Sequence, residues 1–224
     1  MIIFNIIFSI CCASFSGLVA IRLPKKRPII TGRSYCDFCH TRLKWYHEIP
    51  IISYLFLRGR CHFCKHKINI EIFIIEIIGL IIGWKASQQT SFSPYILIIL
   101  TLSVTICALT DWRNLAIWPI TLIPIVTITL VLQPLTVRQW LHWLLLAIIF
   151  NSIYWLMPNK LGYGDIEVIL VIALVLGIKR ALLITLGATS LAMCYLVIQT
   201  SKRTVIPFIP FFLASLLIDI IFLL

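Results

Sequence analysis

Four cysteines stand in two closely spaced pairs, Cys36-x-x-Cys39 and Cys61-x-x-Cys64. Two such pairs supply four thiolates, a ligand set typical of tetrahedral structural zinc sites. Because four protein ligands leave no open coordination position, such an ion stabilises the fold and does not perform a reaction. The spacing therefore predicts a structural four-cysteine zinc site within a polar segment that is too short to build a hydrophobic core of its own.

Disulfides or a redox-active CxxC motif are the alternatives for these cysteines. Disulfides belong to oxidising compartments, whereas the charge pattern described below predicts a cytosolic segment. Two matched pairs also differ from the single motif of a thioredoxin-like centre. We expect His40, His62 and His66 to lie around the site rather than among its ligands, and Gly59 to supply backbone freedom ahead of the second pair.

Two aspartates, Asp111 and Asp165, are candidates for acid–base chemistry. Asp111 ends one apolar run, and Asp165 follows the turn Gly162-Tyr163-Gly164 at the start of another. Ionisable groups within membrane spans cost several kcal/mol and are functional candidates by default. Two carboxyl groups at one depth can share a proton and hold a water between them, as in aspartic proteases.

Structural roles stay open for both aspartates at this point. Asp165 is placed to cap the helix that it opens, and Asp111 is placed to anchor its span by pairing with Arg113. The residues alone do not show that the two apolar runs touch each other.

The composition predicts the elements that position these residues. Of the 224 residues, 61% are hydrophobic and 12% charged, and the mean hydropathy is +1.04. Soluble domains are about 45–50% apolar and about 25% charged, so an ordinary cytosolic enzyme, a disordered tail and a small secreted disulfide scaffold are excluded. The sequence predicts an all-α polytopic membrane protein with about eight transmembrane helices. The apolar runs lie near 2–21, 68–84, 95–110, 116–132, 140–157, 164–178, 181–198 and 205–224.

The distribution of charge predicts the orientation. The net charge is +11, and eleven of the 19 Lys and Arg residues lie in the single polar segment 22–67. Basic segments of membrane proteins stay in the cytosol, so we expect a lipid-bilayer partner and no nucleic acid. Alternation then places the turns 111–115, 158–162 and 199–204 in the cytosol, and both aspartates at that face. Lys179 and Arg180 lie on the outer side against this rule, and we expect Asp219, near the outer end of the last span, to snorkel.

Several stretches carry a resemblance to a known family. The chain resembles the type IV prepilin peptidases, membrane aspartic leader peptidases with a GxGD motif, over nearly its whole length. The similar stretches are Ser16-Gly17-Leu18, Arg22-Leu23-Pro24, Ser34-Tyr35-Cys36, Ser53-Tyr54-Leu55, Leu57-Arg58-Gly59-Arg60-Cys61, Glu76-x-x-Gly79, Gly162-Tyr163-Gly164-Asp165 and Ile206-Pro207-Phe208. The chain departs from the family at Glu167, where Lys is common, and at Ile209, where Gly is usual.

The resemblance implies an activity and its residues. It implies an endopeptidase that removes the leader of prepilin or pseudopilin precursors at the cytosolic membrane face, with Asp111 and Asp165 as the catalytic pair. Many relatives with such a cysteine loop also methylate the new N-terminus with S-adenosylmethionine; no cofactor-binding residue is assigned here. Glu76 is placed either to serve methylation or to fix helix packing, and we expect packing. The implied organisation is a first transmembrane helix over 1–21, a four-cysteine zinc-binding loop over 22–67 and a seven-helix peptidase core over 68–224, as in a compact competence-type enzyme.

Three other functions compete with this interpretation. A non-enzymatic assembly factor, anchored in the membrane and presenting a zinc ribbon to partners, would need the cysteines and not the aspartates. A GxGD protease that cuts ordinary transmembrane helices would have no evident need of the loop. A transporter would place its charged residues near the bilayer midplane on broken helices.

Overall fold

The computed structural model describes residues 1–29, 34–36, 38–90, 92–157, 162–198 and 206–223. Within these residues the regular structure is helical, apart from two isolated β-bridges. The α-helices are α1 (Ile2–Arg22), α2 (Ile52–Phe56), α3 (Ile70–Ala86), α4 (Pro94–Asn114), α5 (Ile123–Leu132), α6 (Val137–Leu156), α7 (Tyr163–Leu176), α8 (Ile178–Ile198) and α9 (Ile209–Ile218). A 3-10 helix (Pro119–Leu122) leads into α5, another (Trp45–His47) precedes α2, and a π-helical turn (Asp219–Leu223) continues α9.

The all-helical fold confirms the prediction from composition, and each of the eight apolar runs contains a helix. Four helices are long and apolar enough to cross a membrane among the residues described: α1, α4, α6 and α8. The remaining helices are shorter, with 17 residues in α3 and 14 in α7. The predicted cytosolic turns at 158–161 and 199–204 lie outside the described residues.

The chain folds as two compact units, residues 1–88 and 89–224. In the first unit, α1 and α3 approach each other through small residues. The Ser9 hydroxyl donates to the carbonyl of Gly79 at 2.7 Å, and a Cβ built on Gly79 would lie 2.5 Å from the Cβ of Ala13. A Cβ on Gly83 would lie 2.9 Å from the Cα of Ile6. Small residues thus bring the two backbones together, as in helix pairs that pack within lipid.

In the second unit, α4 is the central helix. It packs against α9, α5 and α7, while α8 packs against α7 and α9 and α6 packs against α7. The buried hydroxyls of Thr101, Thr105 and Thr110 each donate to the carbonyl four residues earlier in α4. These three side chains are therefore satisfied within their own helix, so their burial leaves none of the three hydroxyls unpaired.

Asp219 corrects one expectation from the sequence. It is buried, with 4% of its surface exposed, and its Oδ2 lies 3.4 Å from Nη1 of Arg180. The Arg180 guanidinium also lies 5.7 Å from the ring centre of Phe92. The prediction that Asp219 snorkels is wrong, because an ion pair with α8 compensates its charge inside the bundle. The same ion pair explains why Arg180 stands at a position where the charge pattern of the sequence did not favour an arginine.

Candidate active site and cysteine cluster

The four predicted cysteines come together in the first unit. All four Sγ atoms lie within 4.8 Å of one another, and those of Cys36 and Cys64 are 3.9 Å apart. Sulfurs bound to one zinc ion at about 2.3 Å stand roughly 4 Å apart in a tetrahedron. The donor set and its spacing therefore fit a tetrahedral metal ion.

The first cysteine pair is shaped by a short turn. The N–H of Cys36 donates to the carbonyl of Thr41 at 3.0 Å, and the N–H of His40 donates to the carbonyl of Cys36 at 2.9 Å. Hydrogen bonds from Thr41 lower the pKa of Cys39 to about 6. The thiolate is the form of cysteine that binds metal, and hydrogen bonds that lower the pKa of a thiol favour that form.

The second pair repeats the same turn. The N–H of Cys61 donates to the carbonyl of His66 at 2.8 Å, and the N–H of Lys65 donates to the carbonyl of Cys61 at 3.0 Å. Lys65 (φ 60°) and His40 (φ 53°), each directly after the second cysteine of its pair, both adopt left-handed backbone. Two equivalent turns thus present four sulfurs to one point.

The nearby histidines lie outside the sulfur cluster and pack against aromatic rings. Their ring partners are Phe38 for His66, Tyr35 for His40 and His47 for His62. The closest of these, between Phe38 and His66, is a stacked pair with ring centres 4.2 Å apart. This arrangement agrees with the expectation that the histidines surround the site.

Gly59 takes the left-handed conformation that the sequence led us to expect, with φ at 66°. Its N–H donates to the carbonyl of Tyr54 at 2.9 Å, and a Cβ there would lie 2.9 Å from the Tyr54 hydroxyl oxygen. Gly59 therefore closes the turn that follows the short helix α2, and the chain enters the second cysteine turn from that point.

In the second unit, Asp111 lies in the last turn of α4 and is 8% exposed. Its Oδ2 accepts a hydrogen bond of 3.1 Å from the backbone N–H of Ile209, the first residue of α9. Ile209 is the position where the resembling family usually has Gly. Because the contact uses the backbone N–H, this departure leaves it intact.

Asp165 lies in the first turn of α7 and is half-buried. The helix is capped by Gly162, without a side-chain hydrogen bond at the cap, so Asp165 is not the N-cap. Helices α4 and α7 are in contact, and Asp165 lies close enough to Asp111 for their charges to interact. The structure thus brings the two predicted carboxyl groups to the same end of the bundle.

The two glycines before Asp165 leave room for other groups to lie directly against the backbone at the start of α7. A Cβ on Gly164 would collide with the side chain of Ile117, in the segment after α4. A Cβ on Gly162 would lie 3.1 Å from Oδ2 of Asp165. Ile117 therefore packs directly on the backbone of α7 and fixes the start of that helix beside Asp165.

Two further groups, Cys107 and Glu167, lie near the aspartates. Cys107 lies one turn before Asp111, is fully buried, and contacts the Thr121 hydroxyl at 3.3 Å. The charges of Glu167 and Asp111 both act on the Cys107 thiol, which places Glu167 near α4 as well. In the sequence, Cys107 and Thr121 are ordinary residues of apolar runs, and Glu167 stands out only by its departure from the family pattern.

Glu76 has the packing role that we expected. It is 5% exposed, and its two oxygens accept hydrogen bonds from the Ser14 hydroxyl at 2.8 Å and from the backbone N–H of Ile51 at 2.7 Å. Ile51 precedes α2 with a φ of 63°. One carboxyl group therefore joins α1, α3 and the start of α2.

Comparison with known proteins identifies relatives along the chain. The prepilin leader peptidase/N-methyltransferase of Bacillus subtilis (strain 168) is 29% identical over 220 residues, covering 91% of this chain and 87% of the relative. Proteins of the same name from Vibrio cholerae and Myxococcus xanthus are 37% and 34% identical over 38% and 34% of this chain. The chain spans only 36% and 23% of those two relatives' lengths. No solved structure matches the chain.

Two family models match consecutive parts of the chain. The bacterial peptidase A24 N-terminal domain matches residues 7–88, which include the cysteine cluster. The type IV leader peptidase family matches residues 97–197, which include both aspartates. The two matches follow the division into two compact units. The chain is thus similar to the type IV leader peptidase family over residues 97–197 and to the bacterial peptidase A24 N-terminal domain over residues 7–88.

Proposed function

We propose that this protein is a membrane aspartic endopeptidase that removes the leader peptide from type IV prepilin-like precursors. Asp111 and Asp165 are its catalytic residues. The observation that carries the proposal is the pair of interacting carboxyl groups contributed by α4 and α7. The names of the relatives, prepilin leader peptidase/N-methyltransferase, support this substrate class.

The chemistry follows from two carboxyl groups at one place. One carboxylate takes a proton from a water molecule as the water attacks the scissile carbonyl carbon. The other carboxyl group donates its proton to the carbonyl oxygen, which gives a gem-diol intermediate. When the C–N bond breaks, the first carboxyl group passes the proton taken from water to the leaving nitrogen, and the second takes its proton back from the hydroxyl that becomes the new carbonyl. The hydrogen bond from Ile209 fixes the direction of the Asp111 carboxyl group, and the contact of Ile117 with Gly164 fixes the start of α7.

The proposal includes a place in the cell. We place the protein in the bacterial cytoplasmic membrane with about eight spans, and with the loop 22–67 and both aspartates facing the cytosol. The excess of Lys and Arg in that loop supports this orientation. In this arrangement residues 68–224 supply the peptidase core, and prepilin or pseudopilin precursors present their leaders from the cytosol.

The cysteine cluster would hold zinc in a structural role. Cys36, Cys39, Cys61 and Cys64 supply four thiolates at suitable spacing, and the ion would keep the loop folded. We also propose that the new N-terminus is methylated with S-adenosylmethionine, which rests on the second half of the relatives' name.

The test uses the full chain purified in detergent and mixed with a prepilin-like substrate. Mass spectrometry follows leader removal by the wild type, by Asp111→Asn and by Asp165→Asn, with and without S-adenosylmethionine. Glu71→Gln is the matched control, since it makes the same chemical change in the first turn of α3. We expect cleavage by the wild type and the control, loss in both Asn variants, and an added methyl mass only with the cofactor.

Three outcomes would contradict parts of this proposal. Cleavage that survives either Asn substitution would refute the aspartic pair. A folded, zinc-loaded wild type that cleaves no prepilin-like substrate would favour the non-enzymatic assembly factor. A missing methyl mass would remove only the methylation step.

A further inference from the structure

A cavity of about 440 Å³ lies at the far end of α7 from Asp165. The ends of α5 and α7 and the beginnings of α6 and α8 form its walls. An α-helix rises about 1.5 Å per residue, so Leu176 at the cavity lies roughly 16 Å along α7 from Asp165. The cavity is therefore separate from the candidate active site, and its volume is in the range of small-molecule sites.

Most polar side chains that line the cavity can donate hydrogen bonds; the exception is Thr129, whose hydroxyl already donates to the carbonyl of Ile125. Lys179, His142, Gln133 and Gln139 line it. The Gln139 carboxamide oxygen accepts from the backbone N–H of Thr136 at 2.8 Å, so its amino group is the part able to donate to a ligand. Among the described residues that line the cavity, none is acidic. This set favours an anion with several acceptor oxygens.

The remaining wall is apolar and held in place. Phe92, Pro134, Leu135 and Trp143 contribute to it. The indole N–H of Trp143 donates to the carbonyl of Leu170 at 2.9 Å, which fastens α6 to α7. A rigid wall of this kind beside cationic and amide groups suits a ligand with one polar and one apolar part.

The helices around the cavity favour a lipid of the bilayer as this ligand. Helix α7 has 14 residues, about 21 Å, whereas the hydrocarbon core of a bilayer is about 30 Å thick. A span this short draws polar headgroups toward its end. Next to the cavity, α6 exposes Leu141 and Leu144, a surface on which an acyl chain can lie.

We propose that this cavity binds the phosphate group of an anionic ligand, with Lys179 as the principal contact. A phospholipid headgroup and a free phosphate share this chemistry, and the position beside the apolar face of α6 favours the lipid. The neighbouring Arg180 is already paired with Asp219, so Lys179 is the cation that the cavity offers among the residues that line it.

The test measures binding to the full chain in a neutral detergent by native mass spectrometry. The probes are phosphatidylglycerol, phosphatidylcholine and inorganic phosphate. The variants are Lys179→Gln, Lys179→Arg and Arg138→Gln, the last being an exposed cation beside Gln139 that does not line the cavity. All three change exposed side chains, so folding is expected to be preserved.

We expect phosphatidylglycerol to bind about tenfold more tightly than phosphatidylcholine. Lys179→Gln should weaken the binding of phosphatidylglycerol about tenfold, because one charge-assisted hydrogen bond is lost. In Lys179→Arg and Arg138→Gln the affinity should stay within about threefold of wild type. Binding of inorganic phosphate alone, with the same dependence on Lys179, would support the anion site and assign it to a free anion. Equal binding of both lipids, or equal loss in Lys179→Gln and Arg138→Gln, would overturn the proposal.

Discussion

The cysteine cluster and the aspartate pair are assembled in different ways. Each half of the cysteine cluster is closed by backbone hydrogen bonds between residues four or five positions apart, and both halves use the same turn. Asp111 and Asp165 come from separate helices, and the hydrogen-bond partner of Asp111 lies 98 residues further along the chain. The first site depends on local conformation, whereas the second depends on helix packing.

This difference means that the two sites should fail separately. The cluster lies in the unit 1–88 and the aspartates in the unit 89–224. Damage to the cysteine turns should abolish metal binding without changing the aspartates. Damage to the contact between α4 and α7 should displace the aspartates without changing metal binding.

The largest expected effect is on metal binding. Cys64→Ser removes one of four thiolates, and structural zinc sites contribute about 10–16 kcal/mol of apparent binding free energy. We expect the zinc content of the purified protein to fall from one ion per chain to nearly none. Cys194→Ser, which changes an exposed cysteine in α8, should keep its zinc. The zinc content per chain of both variants is measured by atomic emission. One zinc ion per chain in Cys64→Ser would show that the four sulfurs do not act together.

A smaller effect is expected where α7 begins. Gly164→Ala places a methyl group against Ile117, and a displacement of Asp165 by about 1 Å would slow leader removal about 100-fold. Gly187→Ala is the control, because its methyl group would crowd Ser215 elsewhere in the unit.

Both glycine variants should lose about 1–3 kcal/mol of stability through overpacking, with zinc content unchanged. Gly164→Ala should also slow leader removal, whereas Gly187→Ala should not. Adding Ile117→Ala to Gly164→Ala should restore part of the rate of leader removal. Equal losses of activity in the two glycine variants would refute a positioning role for Gly164.

The smallest effect tests whether the cysteine loop is wholly local. Glu76→Leu leaves the N–H of Ile51 and the hydroxyl of Ser14 without their acceptor, at a cost of about 2–3 kcal/mol in the free energy of unfolding. Glu76→Gln should cost less than about 1 kcal/mol, because its oxygen can accept from Ile51 while its amino group donates to Ser14.

Zinc should remain bound in both Glu76 variants, since the cysteine turns make none of these contacts. Thermal denaturation and metal analysis on the same samples measure the two quantities. Loss of zinc in Glu76→Leu would show that the loop needs its long-range contact to α3.

The local features were the most predictable from the sequence. The spacing of Cys36, Cys39, Cys61 and Cys64 was enough to anticipate the cluster, because each pair folds within its own turn. The apolar runs were enough to anticipate the helices, because composition determines where a chain becomes helical in lipid.

The long-range features were not predictable in the same way. The N–H of Ile209 that binds Asp111 belongs to the backbone and has no signature in the sequence. The burial of Asp219 depends on Arg180, 39 residues earlier in another helix, and this partner turned the expected snorkelling side chain into an internal ion pair. The pairing of Asp111 with Asp165 rested on the resemblance, because neither residue shows which helices pack together.

The separation of the two sites and the catalytic role of Asp165 are tested together by two measurements on one preparation of Asp165→Asn. Single-turnover leader removal and zinc content are determined together, beside the wild type. We expect one zinc ion per chain and a rate at least about 100-fold below that of the wild type, because general acid–base groups contribute about 10²–10⁴-fold. Leader removal within about threefold of the wild type by the folded, zinc-loaded variant would contradict the catalytic role of Asp165, since losing such a group costs at least about 10²-fold.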